Sequence, residues 1–111
     1  MIGCLPLPAL DGTLDQWAGL ELEVYSATAA REVIDLALEV ADIPAGAVVV
    51  GTLARKGGTQ LGDRLTALAT SATPTGYARG SLLLEAGDVV VFRLDRAPVG
   101  AVSLSGRFTV R

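Results

Sequence analysis

Apolar and polar residues alternate along most of this chain. Leu20-Glu21-Leu22-Glu23-Val24-Tyr25 puts apolar and charged side chains on opposite faces, the period of a strand with one wet face. Residues 28–41 read two ways. Ile34, Leu36, Leu38 and Val40 alternate with Asp35, Ala37, Glu39 and Ala41, which favours a strand. Val33, Leu36, Ala37 and Val40 also fit a helical stripe, with Thr28 as its N-cap. Asp42-Ile43-Pro44-Ala45-Gly46 is a turn on either reading, because Pro44 fixes φ and Gly46 frees it.

Further along, Ala47–Arg55 is short and β-branched, hence a strand, and Lys56-Gly57-Gly58-Thr59 reads as a hairpin connection. Leu61–Ser71 follows, with Leu65, Ala67 and Ala69 on one face and Leu68 on the other. Residues 72–76 read as a loop, Ser81–Leu84 as apolar, 85–88 as a turn, Val89–Leu94 as a strand and 95–100 as a loop. Ala101–Arg111 closes the chain with Val102, Leu104, Phe108 and Val110 in one phase. Short alternating segments between Gly/Pro turns predict an all-β fold, a small antiparallel β-sandwich (jelly-roll-like) or barrel. The expected organisation is an extended arm and lead-in over residues 1–16 and one β-sandwich domain over 17–111.

The first residues support the arm. Met1–Pro8 is apolar but lacks the basic flank and apolar length of a targeting signal. Pro6 and Pro8 remove backbone donors, so Leu5–Pro8 is expected to be extended and outside any sheet interior. Leu5, Leu7 and Leu10 are then candidates to dock on a neighbouring subunit, and removing residues 1–10 is expected to weaken assembly while sparing the fold. Trp17 is read either as a core or lid residue or as an interface anchor.

Composition narrows the chemistry. The chain has 111 residues, 50% apolar and 19% charged, with 9 basic and 12 acidic residues and a net charge of −3. Its pI near 4.7 argues against a nucleic-acid binder, which presents a basic surface. Mean hydropathy of +0.48 is high, yet no apolar run approaches the ~20 residues of a membrane span. No histidine is present, which excludes Ser-His and Cys-His catalytic pairs and the commonest metal ligand. Cys4 is the lone cysteine, so no internal disulfide forms and no cofactor is implied. Eight arginines against one lysine read as GC-rich coding, or as a preference for arginine at interfaces. Asp63 and Asp88 each follow a glycine; the reading that fits such positions is capping of turn N–H groups, with a paired-carboxylate site as the alternative.

Asp42–Arg111 resembles small β-sandwich proteins of tailed-phage virions: capsid decoration (cement) proteins and head- or tail-fibre β domains. The likeness is carried by Ile43-Pro44-Ala45-Gly46 before a valine strand, Thr70–Gly76, Leu84-Glu85-Ala86-Gly87-Asp88 before Val89–Phe92, and the closing Phe108-Thr109-Val110-Arg111. It implies a non-enzymatic virion protein that binds and stabilises the head lattice. The partners it implies are the major capsid or another virion protein and further copies of itself, a trimer favoured, with no nucleic acid and no membrane. The alternative is a fibre or receptor-binding β domain recognising a glycan or cell surface, for which Trp17, Tyr25 and Tyr77 are the available aromatics. An enzyme on a small barrel would have only Asp63 and Asp88 to work with.

Overall fold

The chain doubles back on itself at Lys56-Gly57-Gly58, and its two halves pair along their lengths. In the computed structural model, which describes residues 3–11, 14–58, 61–100 and 103–111, the strands are β1 (Gly3–Pro6), β2 (Leu10–Asp11), β3 (Glu21–Ser26), β4 (Arg31–Ala41), β5 (Val48–Arg55), β6 (Arg64–Thr70), β7 (Thr75–Leu84), β8 (Val89–Arg96) and β9 (Ser103–Val110). Ala54 pairs with Arg64 and Val48 with Thr70; Glu39 pairs with Thr75 and Arg31 with Leu84. Glu21 pairs with Arg93, Leu10 with Leu104 and Gly3 with Val110. Each pair sits at nearly equal distances on either side of the turn.

This long antiparallel hairpin rolls up into two sheets. One has the order β1-β9-β4-β7, with β2 continuing the β1 edge along β9; the other has the order β3-β8-β5-β6. That is a jelly-roll sandwich, as the alternation leads one to expect. The inward phase of every strand feeds one core. Val33, Leu36, Leu38 and Val40 of β4 meet Val49 and Leu53 of β5, Leu82 of β7, Phe92 and Leu94 of β8, and Leu104, Phe108 and Val110 of β9. Burying each such side chain stabilises the fold by about 1.5–3 kcal/mol.

Residues 28–41 resolve to strand. Leu36, Leu38 and Val40 all lie in the core, so the period-two phase wins, and Thr28 caps no helix. A bulge between Val33 and Asp35 shifts the register on both neighbours and leaves Ile34 half-buried. β6 is shorter than its sequence pattern, beginning at Arg64 after a 3-10 turn at Leu61–Asp63. β8 runs on to Arg96. Val102 and Thr59 lie outside the described residues.

Two expectations are corrected. Thr75 and Gly76 are not loop residues but the start of a ten-residue β7 that runs unbroken through Ser81–Leu84. Glycines hide it: a Cβ on Gly76 would come within 2.2 Å of the Leu68 carbonyl oxygen, so only glycine lets β7 cross so close to β6. The lead-in is extended but does not stand off the sandwich. β1 and β2 form an edge on β9, where Pro6 is tolerated because no further strand needs its N–H. The Leu7 N–H donates to the Gly106 carbonyl at 2.8 Å, and Leu7, Leu10 and Leu14 are core residues. Leu7 fits because position 106 is glycine: a Cβ there would lie 2.8 Å from its Cδ1.

Candidate functional site

The jelly-roll connections sort the loops by end. The segments 14–20, 97–100, 42–47 and 71–74 cross between the sheets at one end, in that order across the sandwich. The turns 27–30, 56–58 and 85–88 and the chain's last residue, Arg111, occupy the opposite end.

At the crossing-loop end apolar side chains are exposed together, alongside the polar Asp15, Gln16, Asp42, Ser71 and Thr73. Leu20 is 51% and Val99 77% exposed, and Pro44, Ala45, Ala72 and Pro74 are exposed beside them. A side chain at Gly100 would meet Pro44 Cγ at 3.8 Å, so the second and third loops abut. Trp17 closes a 3-10 turn at Leu14–Trp17, half-buried against the core, and its carbonyl accepts the Leu20 N–H at 3.1 Å. Prolines and alanines lose little side-chain entropy when covered, which favours such a surface as a contact.

The positions singled out in the sequence divide accordingly. Leu7 and Leu10 are spent inside their own chain and present nothing to a neighbour. Leu5 is half-buried on the β1 edge and Trp17 half-buried at the loop end. Asp63 and Asp88 do flank one open depression, with Arg55, Ser81, Leu83 and Glu85, but each is engaged in holding a turn. Asp63 accepts from Arg55 at 2.7 Å, and that bond raises the guanidinium's pKa. Asp88 Oδ2 accepts the Glu85 N–H at 2.8 Å, the capping role expected for it. Among the described residues no group of three or more Cys, Asp or Glu is placed to hold a metal, and no helix is long and apolar enough to cross a membrane.

The outer faces of the two sheets differ. A polar belt crosses all four strands of the β3-β8-β5-β6 sheet. Glu21 faces Arg93 at 3.6 Å, Arg93 Nε donates to Asp95 at 2.6 Å, the buried Thr52 hydroxyl donates to Asp95, and Thr66 Oγ1 lies 3.3 Å from Thr52 Oγ1. Burial works against the Asp95 charge, but the hydrogen bonds from Thr52 and Arg93 outweigh it and hold the carboxyl below its ordinary value. On the other sheet, Ala37 stands between Tyr77 of β7 and Arg107 of β9, and Glu39 between Thr75 and Ser105. A depression of about 160 Å³ opens over Ala37, Glu39, Thr75, Ser105 and Arg107. Tyr77 is 58% exposed beside it, its hydroxyl donating to Asp35 at 3.4 Å. Glu39 and Arg107 form no ion pair or side-chain hydrogen bond with described residues. Sequence reasoning named Tyr77 but not its companions, which only topology brings together.

No protein-family model and no curated protein matches the chain in sequence. Among solved structures, its fold is similar to a chain of the acidic stable capsid structure of Helicobacter pylori bacteriophage KHP30, with a TM-score of 0.52 and 15% identity. The likeness covers 99% of this chain and 92% of that one.

Proposed function

We propose that this protein is a non-enzymatic structural component of a phage virion, a decoration protein that seats on the head lattice and stabilises it. The observation that carries this reading is the crossing-loop end, where Leu20, Pro44, Ala45, Ala72, Pro74 and Val99 are exposed together on four loops with no lysine or arginine among them. An apolar patch of this kind suits the core of a protein contact. The whole-chain likeness in fold to a chain of a phage capsid structure supports it. In this reading Trp17, Leu20, Pro44 and Val99 face the major capsid protein, and the half-buried Leu5 on the β1 edge faces a neighbouring copy in a homo-oligomer, a trimer for preference. The protein acts in the virion by shape and adhesion.

The test is cosedimentation of the purified chain with empty shells assembled from the major capsid protein of the phage genome that carries its gene. Saturable binding is expected, lost in Leu20→Asp/Val99→Asp while thermal unfolding stays unchanged. Absence of the wild-type chain from the shell pellet at high micromolar concentration overturns the reading.

A further inference from the structure

We propose that the outer face of the β1-β9-β4-β7 sheet carries a carbohydrate-binding site centred on Ala37. Three features of that face converge on a sugar. The floor is small and flat: Ala37 points outward yet is only 6% exposed, because Tyr77 and Arg107 stand on either side of it in register. Those two flanking positions are separated by two interstrand steps, roughly 10 Å, a span matched to a sugar ring laid across the strands. Tyr77, 58% exposed at the edge of the depression with its hydroxyl donating to Asp35, supplies an aromatic ring against which the C–H side of a sugar can pack. Around the depression stand groups suited to vicinal hydroxyls, with no side-chain hydrogen bond to other described residues: the Glu39 carboxylate, the Arg107 guanidinium, and the Thr75 and Ser105 hydroxyls.

Rival ligands fit less well. β4 is hydrogen-bonded on both sides, so its backbone has no free edge for an extended peptide to join. A protein partner would bury Glu39 and Asp35 in an interface centre, where acids are depleted. Charge among the flanking groups does not favour a simple anion, since Glu39 and Asp35 balance Arg107 and Arg79. The site lies on a sheet face and uses none of Trp17, Leu20, Pro44 and Val99, although Thr75 at its rim directly follows the 71–74 loop.

The experiment is amide NMR of the full chain titrated with glucose, galactose, mannose and N-acetylglucosamine at millimolar concentration, alongside an array of bacterial surface polysaccharides. Shifts confined to Ala37, Glu39, Thr75, Tyr77, Ser105 and Arg107 are expected with at least one sugar. Tyr77→Ala and Glu39→Gln should each weaken that binding by about tenfold without changing thermal unfolding, while Leu68→Ser on the opposite sheet leaves it intact. Silence across both sugar panels, shifts centred elsewhere, or undiminished binding by folded Tyr77→Ala overturns the proposal. Binding of an acidic or basic peptide at the same residues in place of any sugar also overturns it.

Discussion

The two ends of this sandwich are built from the same chain by opposite means. At the end carrying the hairpin tip, loops are tied down by directed bonds. The Ala27 N–H donates to the Asp88 carbonyl and the Gly87 N–H to the Ala27 carbonyl, both at 2.8 Å; Lys56 reaches Glu23 at 3.1 Å and Arg111 reaches Glu32 at 2.7 Å. At the crossing-loop end, backbone bonds hold the loops as well, the Gly19 N–H donating to the Leu94 carbonyl at 2.9 Å and the Ala47 N–H to the Pro44 carbonyl at 3.0 Å. Among the described residues, however, no ion pair ties these loops, and Leu14 and Ile43 pack beneath them. Charge satisfied within the chain leaves little to offer a partner, whereas apolar tips ordered from below remain available. A surface can be ordered from beneath without its outward groups being internally saturated, and that kind is the one suited to assembly.

The largest effect should come from stripping the support beneath the crossing loops. Deleting residues 1–10 removes the β1 edge and the core side chains of Leu7 and Leu10, and core leucines are each worth about 2–5 kcal/mol. The truncated chain is expected to lose at least half of its stability in urea unfolding. This reverses the expectation drawn from the prolines alone, that the arm is dispensable to the fold; a truncated chain with an unchanged midpoint would restore it. Next is Gly76→Ala, where β7 leaves the loop end. The added methyl meets backbone, which cannot swing aside as a side chain can, so a loss of about 1–3 kcal/mol is expected by the same measurement.

How much of this was legible beforehand depends on what each residue had to reveal. β3 and β9 announce themselves by alternation, and β5 and β8 as short β-branched runs bounded by turns. β7 does not: Gly76 and Gly80 occupy it for reasons of close approach to β6, a constraint set by residues around ten positions away. The lead-in misleads because proline excludes a strand from a sheet's interior but not from its edge. The candidate sugar face was least visible. Ala37, Tyr77 and Arg107 are ordinary residues in separate strands, and nothing local in any of them signals the others.

A smaller effect is expected from acid, falling on internally paired groups and sparing the crossing loops. The hydrogen bonds of Ser81 and Arg111 hold the Glu32 carboxyl below its ordinary 4.5, and those of Thr52 and Arg93, against burial, hold Asp95 below 3.8. Both folded-state values are depressed, so the stability these bonds contribute is fully present above the ordinary values. It is lost as pH falls through them toward the folded-state values. The urea midpoint is therefore expected to hold from neutrality to about pH 5 and to drop below about pH 4. In Asp95→Asn the drop should be shallower and the stability at neutral pH lower by about 1 kcal/mol. An equally steep drop in that variant would assign the acid response elsewhere.

The smallest effect on stability sharpens the comparison most. Lys56→Ala at the hairpin end removes an exposed ion pair with Glu23, both side chains more than half exposed, and surface pairs of this kind contribute about 0–1 kcal/mol. Val99→Asp at the crossing loops removes no bond at all and replaces a side chain already in water, so its effect on folding is expected within about 0.5 kcal/mol. Stability alone hardly separates the two variants. Assembly should: Lys56→Ala is expected to cosediment with shells like the parent, and Val99→Asp to lose most of that binding, because a carboxylate placed in an apolar contact must shed its water without gaining a partner. If Lys56→Ala were instead the variant that failed to bind, the ion-paired end would be the docking surface, and rigidity through internal saturation would prove no obstacle to assembly.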